Sequence, residues 1–394
     1  MAPRVKLLVY AAFDPFPAPK GAATHIAAFA RALGEGLGPL ELVTVAPGQQ
    51  HQGGDQLALP PGVRHHPLPA QGPTVIDRAL SFRRALREWW GERRARVAHV
   101  RTIFEGYPLA RTGQRFRERL VFEVNGLPSI ELKYHHPAAA DDRELLEKLR
   151  AQEEAVLGAA DLIVTPSPVT AAHLAQRGAD PNRVRVIPNG VDPDRFPWQA
   201  PPAREGPLRL LYAGTLSTWQ GAQVALEALA LLRRDLPAEL IMVGPARSRQ
   251  RQALRERAHE LGVGDALELR EPVEQAELVR LHHQAHAALA PLTLCDRNLV
   301  QGCCPLKVIE AMACGTPVVA SDLPVVRALL EPEREGLLVR AGSAKAVKDG
   351  LLRLAADPNL AEALSRAARA RVLSGLTWDQ AGRQLVAAYR ALLG

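Results

Sequence analysis

Short runs of apolar residues, rich in Val, Leu and Ala, recur along the chain, and between them apolar positions return every three or four residues. The runs predict strands buried on both faces, and the periodic stretches predict amphipathic helices packed over them. In the second half, runs at 208–213, 239–243, 266–270, 286–291, 317–321 and 336–340 are separated by helical segments. That alternation predicts a doubly wound parallel sheet of α/β class. In the first half, strands are expected at 5–10, 41–46, 97–102 and 119–125, and again in ADLIVTPSPVTAAHL, where a strand passes into a helix. Helices are expected at 22–33, over RALSFRRALREWWGERRAR and around 106–115, whereas 47–72, rich in Gly, Pro and His, reads mostly as loop. Pro188, Asn189 and Gly190 must break a strand and turn the chain. The predicted domains are therefore 1–190 and 208–375, joined by a proline-rich linker at 191–207 and followed by an amphipathic helix within 376–394.

Composition narrows the class. A chain of 394 residues is comfortable for two domains, and 47% apolar with 23% charged residues is ordinary globular usage. The net charge of +7 favours anionic partners: nucleoside diphosphates, nucleic acid or anionic lipid. No zinc-finger spacing and no aromatic RNA-binding signature is present, so nucleic acid is set aside. Four cysteines, all between Cys295 and Cys314, form no disulfide framework and suit a reducing cytoplasm. Nothing approaches the ~20 apolar residues of a membrane span, and the opening MAPRVKLLVYAAF reads as a first strand rather than a signal peptide.

The most informative stretch is QGCCPLKVIEAMACGTPVVASD, residues 301–322. Pro305 can open a helix, where its missing N–H costs nothing. Leu306, Ile309, Met312 and Ala313 give that helix one apolar face, while Lys307 and Glu310, three apart, project together from another. Gly315 stands where a C-terminal cap belongs. A helix N-terminus favours anions, so phosphates at its tip and hydroxyls on the carboxylate would suit the unit, and a nucleotide sugar has both. An ordinary surface ion pair explains the same two residues. Elsewhere, Gly21 follows the first strand where open α/β sheets bind ligands. Glu123, Asn125 and Glu131 run from a strand into what reads as a loop. The helix carrying Phe82, Trp89 and Trp90 among arginines suits either an anionic membrane surface or a core with solvated charges. His282, His283 and His286 form HHxxH without an acidic third ligand, and no metal site is expected.

PLKVIEAMACGTPVVASD resembles the donor-binding motif of the retaining family 4 glycosyltransferases, enzymes of GT-B fold with two facing Rossmann-like domains and a cleft between them. The resemblance covers nearly the whole chain and implies roles for residues here. Glu310 would hold the ribose hydroxyls of the donor, and Lys307 with the backbone of Cys304, Pro305 and Leu306 would lie by the diphosphate. The loop AGTLSTWQG would offer backbone N–H groups at Gly214, Thr215 and Leu216. Family members commonly place an arginine and a lysine where this chain has Thr215 and Gln220, and a second glutamate where it has Gly302. Arg297 is a candidate for supplying a missing charge. Arg270 and Pro272 fall where the family grips the nucleobase. Gly21, Thr24 and His25 match the glycine-rich loop of the first domain, and FEVNGLPS with Glu123 and Asn125 resembles the acceptor-side loop. Asn189, Gly190 and Asp192 match the inter-domain PNGVD passage, and the last helix would cross back onto the first domain.

The implied activity is that of a metal-independent, retaining hexosyltransferase with no cofactor beyond its UDP- or GDP-sugar donor. The acceptor would be a glycan, a lipid-linked sugar or a small molecule, with departing diphosphate helping to activate its hydroxyl. Many family members work at membrane surfaces, which adds an expected peripheral contact with the inner membrane face. Two alternatives stay open: an epimerase or phosphorylase on the same scaffold, and a non-catalytic nucleotide-sugar binder or membrane-associated scaffold.

Overall fold

The computed structural model describes residues 7–18, 20–47 and 57–394, with His135 and Ala138 described by their backbone alone. They form two compact units. The first takes in the described residues up to Pro188 together with Gln301–Cys303 and Asp379–Gly394, and the second takes in Asn189–Val300 and Cys304–Trp378.

The first unit is a parallel sheet of β1 (Leu8–Pro15), β2 (Leu40–Val45), β3 (Val63–Leu68), β4 (Ala95–Val100), β5 (Arg117–Glu123), β6 (Leu162–Thr165) and β7 (Val184–Val186). Its helices are α1 (Gly21–Leu37), α2 (Val75–Trp90), α3 (Ile103–Arg111), α4 (Pro128–His135), α5 (Arg143–Ala159) and α6 (Pro168–Gln176). The strand order is β3-β2-β1-β4-β5-β6-β7.

The second unit is a parallel sheet of β8 (Leu208–Ala213), β9 (Ala238–Val243), β10 (Leu267–Arg270), β11 (Ala287–Ala290), β12 (Val318–Ser321) and β13 (Leu337–Val339). Around it pack α7 (Ala222–Leu232), α8 (Ser248–Glu260), α9 (Gln275–Gln284), α10 (Leu306–Cys314), α11 (Pro324–Arg327), α12 (Ala344–Ala356) and α13 (Pro358–Gly375). Its order is β10-β9-β8-β11-β12-β13. The chain closes in α14 (Trp378–Leu393), whose buried Val386 packs against Gly36 of α1.

Each core is a layer of apolar side chains between sheet and helices. Val9, Phe82, Trp90, Val100, Phe122 and Ile163 meet in the first unit, and Leu226, Leu229, Leu240, Met242, Leu289 and Leu351 in the second. In both sheets the chain reverses its direction of winding beside the first strand, between β1 and β4 and between β8 and β11. Ligands of open α/β sheets bind beyond the strand C-termini at such switch points.

Several expectations need correction. The stretch expected to be loop at 47–72 contains β3, whose half-exposed VRHHPL lies at the sheet edge and so lacks an apolar run. The run after Glu123 is not all loop: Pro128 starts α4. The helix through Trp90 stops at Gly91, and the residues from Ala95 already belong to β4. The helix expected around 106–115 runs instead over Ile103–Arg111. Of the first strand expected at 5–10, Val5 and Lys6 lie outside the described residues, and the observed strand continues to Pro15.

The passage after Pro188 is tied to both ends of α10. Asn189 Nδ2 donates to the Cys304 carbonyl (2.9 Å) just before the helix, and Gln199 N–H donates to the Cys314 carbonyl (3.0 Å) at its end. Arg369 Nη1 donates to both Phe196 O and Ala313 O (2.9 Å each) and Nη2 to Pro193 O (3.1 Å), a cation at a helix C-terminus. Between these ties Val191 bridges Thr377, and Gly190 lies so close that an added Cβ would stand 2.3 Å from the Thr377 carbonyl carbon.

Gly190→Ala should therefore lower stability by about 1–3 kcal/mol through overpacking. Gly158→Ala, where a new methyl meets nothing within 4 Å, should not destabilise. Thermal midpoints of the two variants test the contrast.

Candidate functional site

At the switch point of the second sheet, α10 follows its N-cap Pro305 with no side chain capping it, and its first turn is the positive end of the helix dipole. Lys307 leaves that first turn, and its Nζ stands 4.2 Å from the centroid of the Tyr212 ring, within cation–π range. A Cβ on Gly214 would lie 3.1 Å from Lys307 Cε, so the bare backbone there leaves room for the amine. Tyr212 is fully buried, and its hydroxyl donates to Thr215 O (2.8 Å) with Gln220 O 3.2 Å away. Burial pushes this phenol above its usual range, so it stays protonated and keeps its hydrogen for the loop. One side chain thus ties the cation to both ends of the loop that follows β8.

The loop itself differs from expectation. Gly214 N–H donates to Val243 O (2.8 Å) and Leu216 N–H to Pro245 O (3.1 Å), while the Leu216 side chain is buried. Those two amides are consumed by the fold and do not serve as anion donors. Of the three amides expected there, only that of Thr215 lacks an acceptor among the described residues.

Glu310 is half-buried one turn beyond Lys307. Burial raises its carboxyl to about 7, and Lys307 pulls in the opposite direction. Cys304 is buried with its carbonyl taken by Asn189, while Pro305 and Leu306 are half-buried. Arg270 pairs with Glu268 (2.6 Å) and Glu277 (2.9 Å), and its carbonyl accepts from Arg251 Nη1 (3.1 Å); Pro272 is exposed. Gly302 has φ +85°, and a Cβ there would lie 2.8 Å from Thr170 N, so a glutamate at this position would be both strained and obstructed. The residue before it, Gln301, is anchored in the first unit: its Oε1 accepts from Leu127 N–H (2.8 Å) and its Nε2 donates to Glu131 Oε1 (2.9 Å).

In the first unit, α1 starts at Gly21, exposed, with Thr24 half-buried behind it. His25 is buried and lies against Glu123, Nε2 to Oε1 3.0 Å. Glu123 itself is 1% exposed, which places it as the hub of a buried cluster rather than as a solvent-facing group. Tyr10 donates its hydroxyl to Oε2 (2.8 Å), Arg101 donates Nε to Oε1 (2.8 Å), Asn125 Nδ2 donates to Oε1, and His99 Nε2 lies 3.1 Å from Oε2. Tyr389 of α14 meets the other ring nitrogen of His99 at 2.7 Å. Burial alone would raise the Glu123 carboxyl, but His25 and Arg101 hold it well below the usual carboxylate range. Sequence reasoning missed Tyr10, His99, Arg101 and Tyr389. The available signal was polar residues at the sheet's centre, His99 in VAHV above all.

Other candidates fall apart in space. His282 sits by Thr316 Oγ1 (3.3 Å), His283 Nε2 is 2.8 Å from Pro197 O, and His286 Nδ1 accepts from Arg209 N–H (2.9 Å), three separate environments. Among the described residues no group of three His, Cys, Asp or Glu is placed to hold a metal. Phe82 and Trp90 of α2 face the core, so these aromatics do not form a membrane face; Trp89 lies half-buried against His66. No helix among the described residues is long and apolar enough to cross a membrane.

Comparison with known proteins adds to this geometry. Residues 195–371 match the sequence model of the family described as glycosyl transferases group 1, and residues 19–195 match that of glycosyltransferase family 4. The D-inositol 3-phosphate glycosyltransferase of Actinosynnema mirum is 31% identical over 316 residues, 76% of this chain and 74% of that one. The enzyme of the same name from Frankia alni is 30% identical over 65% of each chain, so the match spans less than two thirds of that relative. Among solved structures, sucrose-phosphate synthase of Thermosynechococcus elongatus superposes with TM-score 0.81 at 21% identity, covering 98% of this chain and 99% of that one. Anabaena HepE, solved in complex with UDP-glucose, superposes with TM-score 0.75 at 15% identity, covering 98% and 100%. At these identities the structures speak to the fold.

Two outcomes test the electrostatics. The folded chain keeps the Glu310 proton up to about pH 7, whereas an unfolded carboxyl releases it near 4.5. The folded state binds the extra proton between those values, so this group's contribution to stability falls as pH rises from 4.5 through 7. Glu310→Gln should flatten that part of the thermal-midpoint profile. Glu123→Gln should cost about 1–3 kcal/mol, because the buried Arg101 guanidinium loses the nearer of its two carboxylates and keeps only that of Asp14 (3.2 Å). Denaturation of the first unit, followed by its own tryptophans, measures the loss.

Proposed function

Since the chain belongs to glycosyltransferase family 4, we propose that it moves a hexose from a nucleoside-diphosphate sugar to an acceptor hydroxyl, with retention of anomeric configuration. The observation that carries this reading is the second unit's switch point, where an uncapped helix start, Lys307 on Tyr212 and the Glu310 carboxylate come together. An anion at the helix tip and a hydroxyl-rich ribose on the carboxylate use every one of these groups. Departure of the nucleoside diphosphate concentrates negative charge where the helix dipole and Lys307 already point. Their stabilisation therefore grows towards the transition state.

The positive charge comes from the chain itself in this mechanism, and no divalent ion is assigned a role. No protein nucleophile is assigned either: Glu123, its oxygens engaged by Tyr10, Arg101 and Asn125, holds its neighbours in place. The leaving diphosphate takes part in removing the acceptor proton on the same face of the sugar. UDP-glucose is the first donor to assay, supported by its presence in the complex of the structurally similar HepE, with GDP-sugars next. Inositol 3-phosphate is the first acceptor, supported by the names of the relatives. Glycan and lipid-linked acceptors complete the panel.

Lys307→Ala should weaken nucleoside-diphosphate binding by about tenfold or more, the loss of one charge-assisted contact. EDTA should leave the transfer rate unchanged, and NMR of the product should show the donor's anomeric configuration. Binding without transfer or slow donor hydrolysis across the acceptor panel would overturn the enzymatic reading.

A further inference from the structure

This inference rests on the second unit's switch point being the donor site. A nucleoside diphosphate brings more than one negative charge to a loop whose Gly214 and Leu216 amides are already spent. Lys307 supplies one cation there, with the Glu310 carboxylate a single turn away. A second cation is held on Trp219 of the same loop. The guanidinium carbon of Arg297 lies 3.9 Å from the centroid of the Trp219 indole, stacked contact of a kind that arginine makes better than lysine.

The stack is built in. Trp219 is 8% exposed, and its carbonyl accepts from Thr293 N–H (3.2 Å) and from Asn298 Nδ2 (3.0 Å), so the chain is fastened to the loop on both sides of Arg297. Asn298, fully buried, donates also to Thr293 O (2.9 Å), closing the turn, and Asp296 Oδ1 accepts the Arg297 amide (2.9 Å). The next residue after Trp219 is Gln220, whose carbonyl faces the Tyr212 hydroxyl, and the Tyr212 ring carries Lys307. Two aromatic rings, one at Tyr212 before this loop and one at Trp219 within it, thus each hold a cation.

We propose that Arg297, held on Trp219, is the second cation of the phosphate site and contacts the diphosphate of the donor. It does so from the strand-11 loop, while the β8 loop has uncharged Thr215 and Gln220.

The test titrates UDP and GDP calorimetrically, with uridine and guanosine as controls, against wild type, Arg297→Gln, Arg297→Lys and Lys307→Ala. Arg297→Gln should weaken diphosphate binding about tenfold and leave nucleoside binding unchanged. Arg297→Lys should recover part of the loss, and adding Thr215→Arg to Arg297→Gln should restore more of it by returning a charge to the loop. If Arg297→Gln fails to fold, Arg297→Lys carries the comparison, and weaker diphosphate binding with unchanged nucleoside binding in that variant supports the assignment. Unchanged diphosphate affinity in the Arg297 variants, with a loss in Lys307→Ala, overturns this inference alone. Unchanged affinity in both, or no diphosphate binding by the wild type, overturns the donor-site reading as well. A raised KM for inositol 3-phosphate with unchanged diphosphate affinity would assign Arg297 to an acceptor phosphate and overturn its assignment to the donor.

Discussion

The contact between the Lys307 ammonium and the buried face of Tyr212 is the constraint on which the second unit's site depends. An ammonium is strongly hydrated and its four-carbon stem is flexible, so it takes up one position only where something replaces the lost water. The π face does so from below, and the absence of a side chain at Gly214 leaves the space above it. Because the same phenol grips the Thr215 carbonyl, the loop cannot shift without disturbing the amine, nor the amine without the loop. Pre-set charge of this kind need not reorganise as a leaving group departs, which is the condition under which electrostatics accelerate a reaction.

The two units spend their ionisable groups in opposite ways. Around Glu123, a carboxylate, a guanidinium, two imidazoles and two phenols are packed until nearly every polar atom has a neighbour. Such a cluster gains little net stability over a well-packed apolar one, but it is severely damaged by losing one member, and so it fixes geometry. Around Glu310 the opposite holds: the carboxyl is half-buried, poorly solvated and accepts no hydrogen bond among the described residues, with its protonation held near neutrality. A group left in that condition is suited to an incoming partner, whereas one in the condition of Glu123 already has its partners.

Much of this was legible in the sequence, for reasons that differ by element. The second unit's strands were easy because LRLLYA and VVAS are buried almost throughout, and strands so placed read as mainly apolar runs. The helix of Lys307 and Glu310 was legible from Pro305 to Gly315 because a start signal, a periodic face and a cap agree. By contrast β3 was lost in VRHHPL, an edge strand that alternates between half-exposed and exposed positions. The Glu123 cluster could not be assembled from spacing, since Tyr10, His99 and Tyr389 approach only once parallel register and a helix from the far end of the chain are known. Nor does sequence tell which backbone amides remain available: Gly214 and Leu216 differ from Thr215 only in which strand-end carbonyl lies beside them.

The cluster in the first unit has a temporal side. His99 and Tyr389 are separated by 290 positions, and Val386 and Gly382 of α14 lie against Gly36 and Ala32 of α1. On a ribosome, therefore, the first unit is completed only after the residues of the second unit have been made. Until α14 is released, Gly36 and Ala32 of α1 and the His99 imidazole stay without their cover. During that interval the nascent first sheet has the most to lose from premature contact with other chains, and the second unit can fold to completion ahead of it.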